Sequence, residues 1–430
     1  MERKIDRRLH KWKDSPQRMP LLIHGARQVG KTYTALTFGK THYRNVAYFN
    51  MEDSNEIRSV FERDLKPERI IRELTALCGH SIFKGDTLII FDEIQANERA
   101  LHSLKYFCED APSYHIIATG SLLGVAVNRE RYSFPVGKVD IVNLHPLDFE
   151  EFLWAVGRLD LCSLIREAYA SFTQFSLHST ALDLYKTYLV VGGMPRAVHE
   201  YVNTQDFDFV RAVQKNLNDA YIADMAKYAS TQETARIMAA WSSVPAQLAK
   251  DNRKFQYRVI RAGARAKDYE TALDWLQAAG VIHKCVRISE GKMPLAAYAD
   301  SSAFKVYMMD TGLLCSKFDI PSHAVIDTPP SFDGFKGALA ENYVMQALVA
   351  GGILPYYWSS EGKAELDFVV QDRQGNIIPV EVKSSDNVRA KSLNSYMSRY
   401  RPPYALRVSA KNFGYENGIK SVPLYAIFCL

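Results

Sequence analysis

Eight consecutive residues, Gly25-Ala26-Arg27-Gln28-Val29-Gly30-Lys31-Thr32, constrain this chain more than any other feature. They fit G-x-x-x-x-G-K-[ST] in full, with an apolar run before them (Leu21–His24) and helical spacing from Lys31 onward. A strand that enters a helix through a glycine turn aims several backbone N–H groups and the positive helix end at one point, where a phosphate can sit. The surrounding sequence agrees. Leu21–Ile23, Val46–Phe49, Leu88–Phe91, His115–Ala118 and Val139–Val142 read as short apolar strands. Between them Lys31–Phe38, Asn55–Leu65, Pro67–Cys78 and Arg99–Glu109 carry helical periodicity. Strand–helix alternation with continuous apolar strands predicts an α/β unit whose parallel sheet is buried on both faces.

The chemistry follows from position. Gly25 to Thr32, with Tyr33 next on the helix, are expected to bind nucleotide. Lys31 is expected at the β- and γ-phosphates and the Thr32 hydroxyl at Mg²⁺. Leu88-Ile89-Ile90-Phe91-Asp92-Glu93 is an apolar strand ending in two carboxylates, costly unless they have a task. Asp92 is placed to hold Mg²⁺ through water and Glu93 to orient or deprotonate the attacking water. That pair favours a hydrolase over a small-molecule kinase. Thr119, after the strand His115–Ala118, is placed to touch the γ-phosphate; a plain turn is the competing reading.

At 430 residues the chain is too long for one core. The expected division is 1–150 for the α/β core, 151–229 for a helical lid, 230–320 for a winged-helix-like domain and 331–430 for a last α/β domain. The winged helix rests on helices followed by a hairpin, Val281–Ile288 leading to Leu295–Tyr298, and Asp319–Gly334, rich in proline, reads as a linker. Six scattered cysteines suit reduced thiols better than a disulfide framework. The charged first residues and the absence of an apolar run of about 18 residues argue against a signal peptide and a spanning helix, so a cytoplasmic protein without a membrane partner is expected.

The last domain carries a second constellation. Asp367 lies in Glu365-Leu366-Asp367-Phe368, Glu381-Val382-Lys383 follows on the next strand, and Glu341 lies on a preceding helix. Residues two apart on a strand share a face, so Glu381 and Lys383 point the same way. Asp367 and Glu381 are expected to bind Mg²⁺, with Lys383 positioning water and Glu341 closing the site. The competing reading is ordinary charge alternation on a half-exposed strand. The net charge of +5 decides nothing alone, but residues 226–320 hold 14 Lys and Arg against 9 Asp and Glu. Lys254, Arg258, Arg261 and Arg265 would share one face of a helix and could track a DNA backbone; a solvated face is the alternative.

In order and spacing, Gly25–Thr32, Leu88–Glu93 and Ala118–Ser121 resemble the AAA-type P-loop ATPases. With Leu144–Leu153 (LHPLDFEEFL), Gly192–Val198, Lys254–Ala266 and Phe304–Leu314, most of the chain is similar to prokaryotic ATPases whose core precedes a domain of unknown function. The resemblance implies ATP and ADP as ligands, Mg²⁺ as cofactor, and Pro195 of Gly193-Met194-Pro195 at the adenine, with Arg196 near the phosphates. Arg129 and Arg131 lie where such families can place an arginine finger, and a monomer or an assembly both stay open. The C-terminal pattern resembles the PD-(D/E)xK nuclease superfamily, implying a restriction-endonuclease-like fold. The expected activity is ATP hydrolysis controlling a nuclease-like, DNA-directed domain; the alternative is an ATP-dependent switch or scaffold without C-terminal catalysis.

Overall fold

A computed structural model describes residues 1–121, 134–228, 231–250, 253–360, 364–384 and 391–430. It divides into two units: Glu2–His145 with Ala278–Gly280, and Met1 with Pro146–Gln277 and Val281–Leu430. The first contains α1 (Ile5–Asp14), β1 (Leu21–His24), α2 (Lys31–His42), β2 (Asn45–Asn50), α3 (Asn55–Val60), α4 (Pro67–Cys78), β3 (Thr87–Asp92), α5 (Glu98–Asp110), β4 (His115–Gly120) and β5 (Asp140–Asn143). The strands run in the order β2-β3-β4-β1-β5, each pair parallel. Every residue of β3 and β4 is buried, which is why both strands read as unbroken apolar runs. Phe49, Phe61, Leu74, Phe91 and Leu104 belong to one core cluster of this unit. The helix expected over Asn55–Leu65 stops at Val60, and the chain turns at buried Phe61.

The second unit begins with α6 (Phe149–Ala155), α7 (Leu159–Ser171), α8 (His178–Val191), α9 (Pro195–Thr204), α10 (Phe207–Tyr228), α11 (Thr231–Leu248), α12 (Tyr257–Ile260) and α13 (Ala266–Ala278). It continues with β6 (Ile282–Ile288), β7 (Ala299–Met308), α14 (Thr311–Lys317), α15 (Ser322–Asp327), α16 (Asp333–Ala350), β8 (Tyr356–Ser359), β9 (Glu365–Gln371), β10 (Ile377–Val382), α17 (Lys391–Tyr400), β11 (Ala405–Ser409), β12 (Gly414–Glu416) and β13 (Ile419–Pro423). Three expectations change here. Leu295–Tyr298 is a 3₁₀ turn, and the second hairpin arm is Ala299–Met308. The hairpin is not confined to a small domain: β6 pairs in parallel with β8, making one eight-stranded sheet in the order β12-β13-β11-β10-β9-β8-β6-β7. The presumed linker 319–334 is folded, with α15 inside it and Ala324, Val325 and Phe332 buried, so its prolines bound short helices.

Buried polar groups tie this unit together. The LHPLDFEEFL segment caps a helix: Asp148 accepts from Glu151 N–H at 2.9 Å, and the Glu151 side chain accepts from Asp148 N–H at 3.2 Å. Leu147 N–H donates to Gly193 O at 2.7 Å, and Gly193 N–H donates to Asp310 Oδ2 at 2.6 Å. A Cβ on Gly193 would lie 1.9 Å from Leu147 O, so glycine is required by close approach. Asp310 also caps α14, accepting from Leu313 N–H at 2.8 Å. Burial pushes the Asp310 carboxyl up to about 6, against the pull of its backbone donors.

Because the folded state holds that proton more tightly than an unfolded carboxyl of pKa about 3.9, this group's contribution to stability falls as pH rises from about 4 through 6. Acidification from pH 8 to 5 should therefore favour the wild type over Asp310→Asn in a comparison of melting temperatures. Equal pH slopes in the two proteins would contradict this. Gly193→Ala should cost about 3 kcal/mol in denaturant unfolding.

Candidate functional site

The motif residues occupy the turn between β1 and α2, at the carboxyl ends of the parallel strands. Gly25 has φ +154°, and a Cβ there would lie 2.2 Å from Leu144 O, so the loop passes hard against the chain leaving β5. Lys31 is buried, and its ammonium donates to Gly25 O at 2.9 Å and Ala26 O at 2.7 Å, which holds it over the loop. Tyr33 is exposed. His24, just before the loop, is held below the usual imidazole range by burial, with the charge of Lys31 adding to the shift.

Because β4 lies between β1 and β3, Ile23 pairs with Thr119 and Phe91 with Ala118, which puts Thr119 beside Asp92. The geometry follows the register. Buried Asp92 accepts from Thr32 Oγ1 at 2.9 and 3.0 Å, from the Tyr48 hydroxyl at 2.7 Å, and from Thr119 Oγ1. Thr32 and Thr119 thus converge on Asp92. Glu93 adopts left-handed backbone angles, φ 48° and ψ 46°, uncommon for a residue with a Cβ and costing about 1–2 kcal/mol. Its carboxylate accepts from the Gln95 amide and, at 3.5 Å, from the Ser121 hydroxyl.

Two participants were not foreseen. Tyr48 lies on β2 among apolar residues and carried no motif signal. Arg3 belongs to a charged stretch that reads as solvated, yet it is buried and donates to Val29 O at 3.1 Å and His145 O at 2.7 Å. It braces the loop from behind.

In the second unit the C-terminal constellation separates into parts. Glu341, on α16, is buried, ion-paired with Arg253, and accepts from the Tyr307 hydroxyl at 3.2 Å. Its charge is paired within the fold, where the sequence led to the expectation that it closes the site of Asp367 and Glu381. Asp367 accepts from Val382 N–H at 2.8 Å. Glu381 is buried, with Lys383 Nζ 3.1 Å from Oε1, while Oε2 has no hydrogen-bond partner among the described residues. Burial pushes Glu381 above the usual carboxylate range and Asp367 adds to that, while Lys383 and Arg407 oppose it. Among the described residues no three His, Cys, Asp or Glu side chains group to hold a metal ion. Asp367, Glu381 and Lys383 remain neighbours through their field and the Val382 amide.

The basic segment also differs. Lys254 lies in an isolated β-bridge to Lys305, α12 covers only Tyr257–Ile260, and Arg261 is extended. The four cations are exposed but do not line one helix. Pro195 is the first residue of α9 and half-buried, with Arg196 exposed beside it. Arg129, Arg131 and Lys363 lie outside the described residues. The six cysteines are free, and among the described residues no helix is long and apolar enough to cross a membrane.

The loop geometry yields a direct expectation for nucleotide affinity. Gly25→Ala should abolish ADP binding measured by calorimetry, because the new Cβ overlaps Leu144 O. Arg3→Ala should weaken it by about tenfold, or 1.4 kcal/mol. Unchanged affinity in Arg3→Ala would show that the brace is irrelevant to the loop.

Three family matches tile the chain: "AAA domain" over residues 17–153, "Domain of unknown function (DUF8612)" over 182–324, and "Domain of unknown function (DUF4143)" over 336–427. No curated protein matches. Among solved structures, the chain is similar to a Walker-type ATPase of Pyrococcus abyssi at 15% identity and TM-score 0.47, covering 74% of this chain and 95% of that one. The Aeropyrum pernix ORC2 protein follows at 13% identity and TM-score 0.36, over 75% and 88% of the two chains. The Thermotoga maritima RuvB branch-migration motor matches at 14% identity and TM-score 0.30, over 65% and 88%. The match over residues 17–153 supports an AAA-type P-loop ATPase.

Proposed function

We propose that this chain is an Mg²⁺-dependent ATPase whose nucleotide state controls a C-terminal DNA-directed domain. The observation that carries the ATPase half is Asp92, which accepts hydrogen bonds from Thr32 and Thr119. The residues suit the ligand: a loop too tight for a Cβ at Gly25, an ammonium held over it, and a hydroxyl paired with a carboxylate. Residues 25–33 would hold the phosphates of ATP, with Thr32 and Asp92 holding Mg²⁺. When bound, Mg²⁺ neutralises phosphate charge and favours transfer to water. Lys31 stabilises charge on the outer phosphates, and Glu93 orients the water and accepts its proton. Thr119, hydrogen-bonded to Asp92, senses the γ-phosphate.

For the C-terminal half, Glu381 with its unpartnered oxygen, Lys383 beside it and Asp367 nearby support a phosphodiester-directed site. Lys254, Arg258, Arg261 and Arg265 supply exposed charge for a DNA backbone. The pairing of Glu341 with Arg253 favours a second reading, an ATP-driven switch that binds DNA or protein without cutting.

Glu93→Gln should lower ATP turnover by at least about 100-fold while ATP still binds, and Lys31→Ala should lose binding. The ATPase reading fails if Glu93→Gln turns over normally. Plasmid nicking in Mg²⁺ or Mn²⁺ that disappears in Asp367→Ala and Lys383→Ala supports cleavage, whereas intact plasmid under all conditions leaves the switch. DNA affinity through the four cations should fall with salt at a log–log slope of about −4.

A further inference from the structure

A partly open pocket of about 80 Å³ lies wholly within the second unit. Leu182 and Leu189 of α8, Phe332, Leu339 of α16, and Leu424 are among its walls. Among the described residues, the charged side chains that line it are Lys186 and Lys336, with no Asp or Glu. Lys186 is pinned, its ammonium donating to Ile326 O at 2.9 Å. Lys336 is half-buried and has neither an ion pair nor a hydrogen bond among the described residues. Apolar walls with a cation that has no partner among the described residues suit a molecule with a hydrocarbon body and one anionic head.

We infer that this pocket binds a small amphipathic anion, an alkyl or aryl carboxylate or phosphate, as an effector. The anionic head pairs with Lys336 and the apolar body lies against α8 and α16. Its position gives it a consequence. α8 also carries Tyr188, whose hydroxyl accepts from Gln346 of α16 at 2.7 Å and donates to Leu147 O at 2.6 Å. α16 carries Glu341 next to the lining residue Ala340, and Ser384, another lining residue, follows Lys383. An occupant therefore touches the two helices that position the Gly193 turn and the surroundings of Glu381 and Lys383. The site is independent of the ATPase and nuclease assignments.

The test is calorimetric titration of the full chain with octanoate and, separately, octyl phosphate. Saturable binding of either probe with Kd below about 1 mM is expected, and the tighter of the two identifies the head group. Lys336→Met should weaken binding by at least about tenfold, and Leu339→Trp, which fills the pocket, should abolish it. A far-UV circular dichroism spectrum and melting temperature close to wild type report that each variant is folded. Absence of saturable binding by both probes overturns the proposal, as does wild-type affinity in Lys336→Met. Should Leu339→Trp fail to fold, the Lys336→Met comparison decides.

Discussion

A single buried carboxylate organises the nucleotide-loop unit. Asp92 accepts from the hydroxyls of Thr32 on α2, Tyr48 on β2 and Thr119 on β4, so three elements far apart in sequence meet at one side chain. Hydrogen bonds to a charged group contribute about 1.5–3 kcal/mol each, and a buried carboxylate left without them would carry most of its desolvation cost. The strand order makes the meeting possible. With β4 between β1 and β3, the loop and the acidic strand end stand one strand apart, and the threonine of the middle strand falls into the gap. The left-handed backbone at Glu93 follows directly, since the chain must turn at once after Asp92 to leave the buried strand.

The second unit solves a related problem with a chain of hydrogen bonds. Gln346 donates to Tyr188, Tyr188 to Leu147 O, Leu147 N–H to Gly193 O, and Gly193 N–H to Asp310. This chain joins α16, α8, the segment before α6, the turn before α9 and the cap of α14. Each link satisfies a group that would otherwise be buried alone. Alongside it, Asn342 on α16 both accepts from Met308 N–H at 2.8 Å and donates to Met308 O at 3.0 Å, covering the backbone at the end of the edge strand β7. α16 is therefore buried over most of its middle, and its polar residues serve neighbouring backbone.

What could be read in advance was local or periodic. The apolar strands of the first sheet, the loop that follows β1 and the acidic end of β3 declare themselves because a doubly covered parallel strand admits few polar residues. Thr119 was legible as a residue after a strand, but its partner was not, since nothing in a single strand states its neighbour. Arg3 and Tyr48 escaped for the same reason: their roles depend on contacts with distant segments. The hairpin was legible, but its second arm was misplaced. Leu295–Tyr298 has the apolar content of a strand, yet those residues close a 3₁₀ turn, and Phe304–Met308, read as family likeness, supply the paired edge. The regular basic spacing from Lys254 to Arg265 suggested a helix, which Gly263 and the extended Arg261 interrupt.

Glu341 and Glu381 show why residue type and spacing do not settle a site's chemistry. Both are buried glutamates with a cation alongside, and either could be read as a metal ligand. Glu341 has a guanidinium on one oxygen and a tyrosine hydroxyl near the other, so both oxygens are occupied and its charge is spent within the fold. Glu381 has a lysine on one oxygen and no partner on the other, in a setting whose burial already disfavours its charge. A buried acceptor left open costs free energy unless another species completes it. Of the two glutamates, Glu381 is therefore the one that keeps an oxygen without a partner among the described residues, at the junction of β9 and β10.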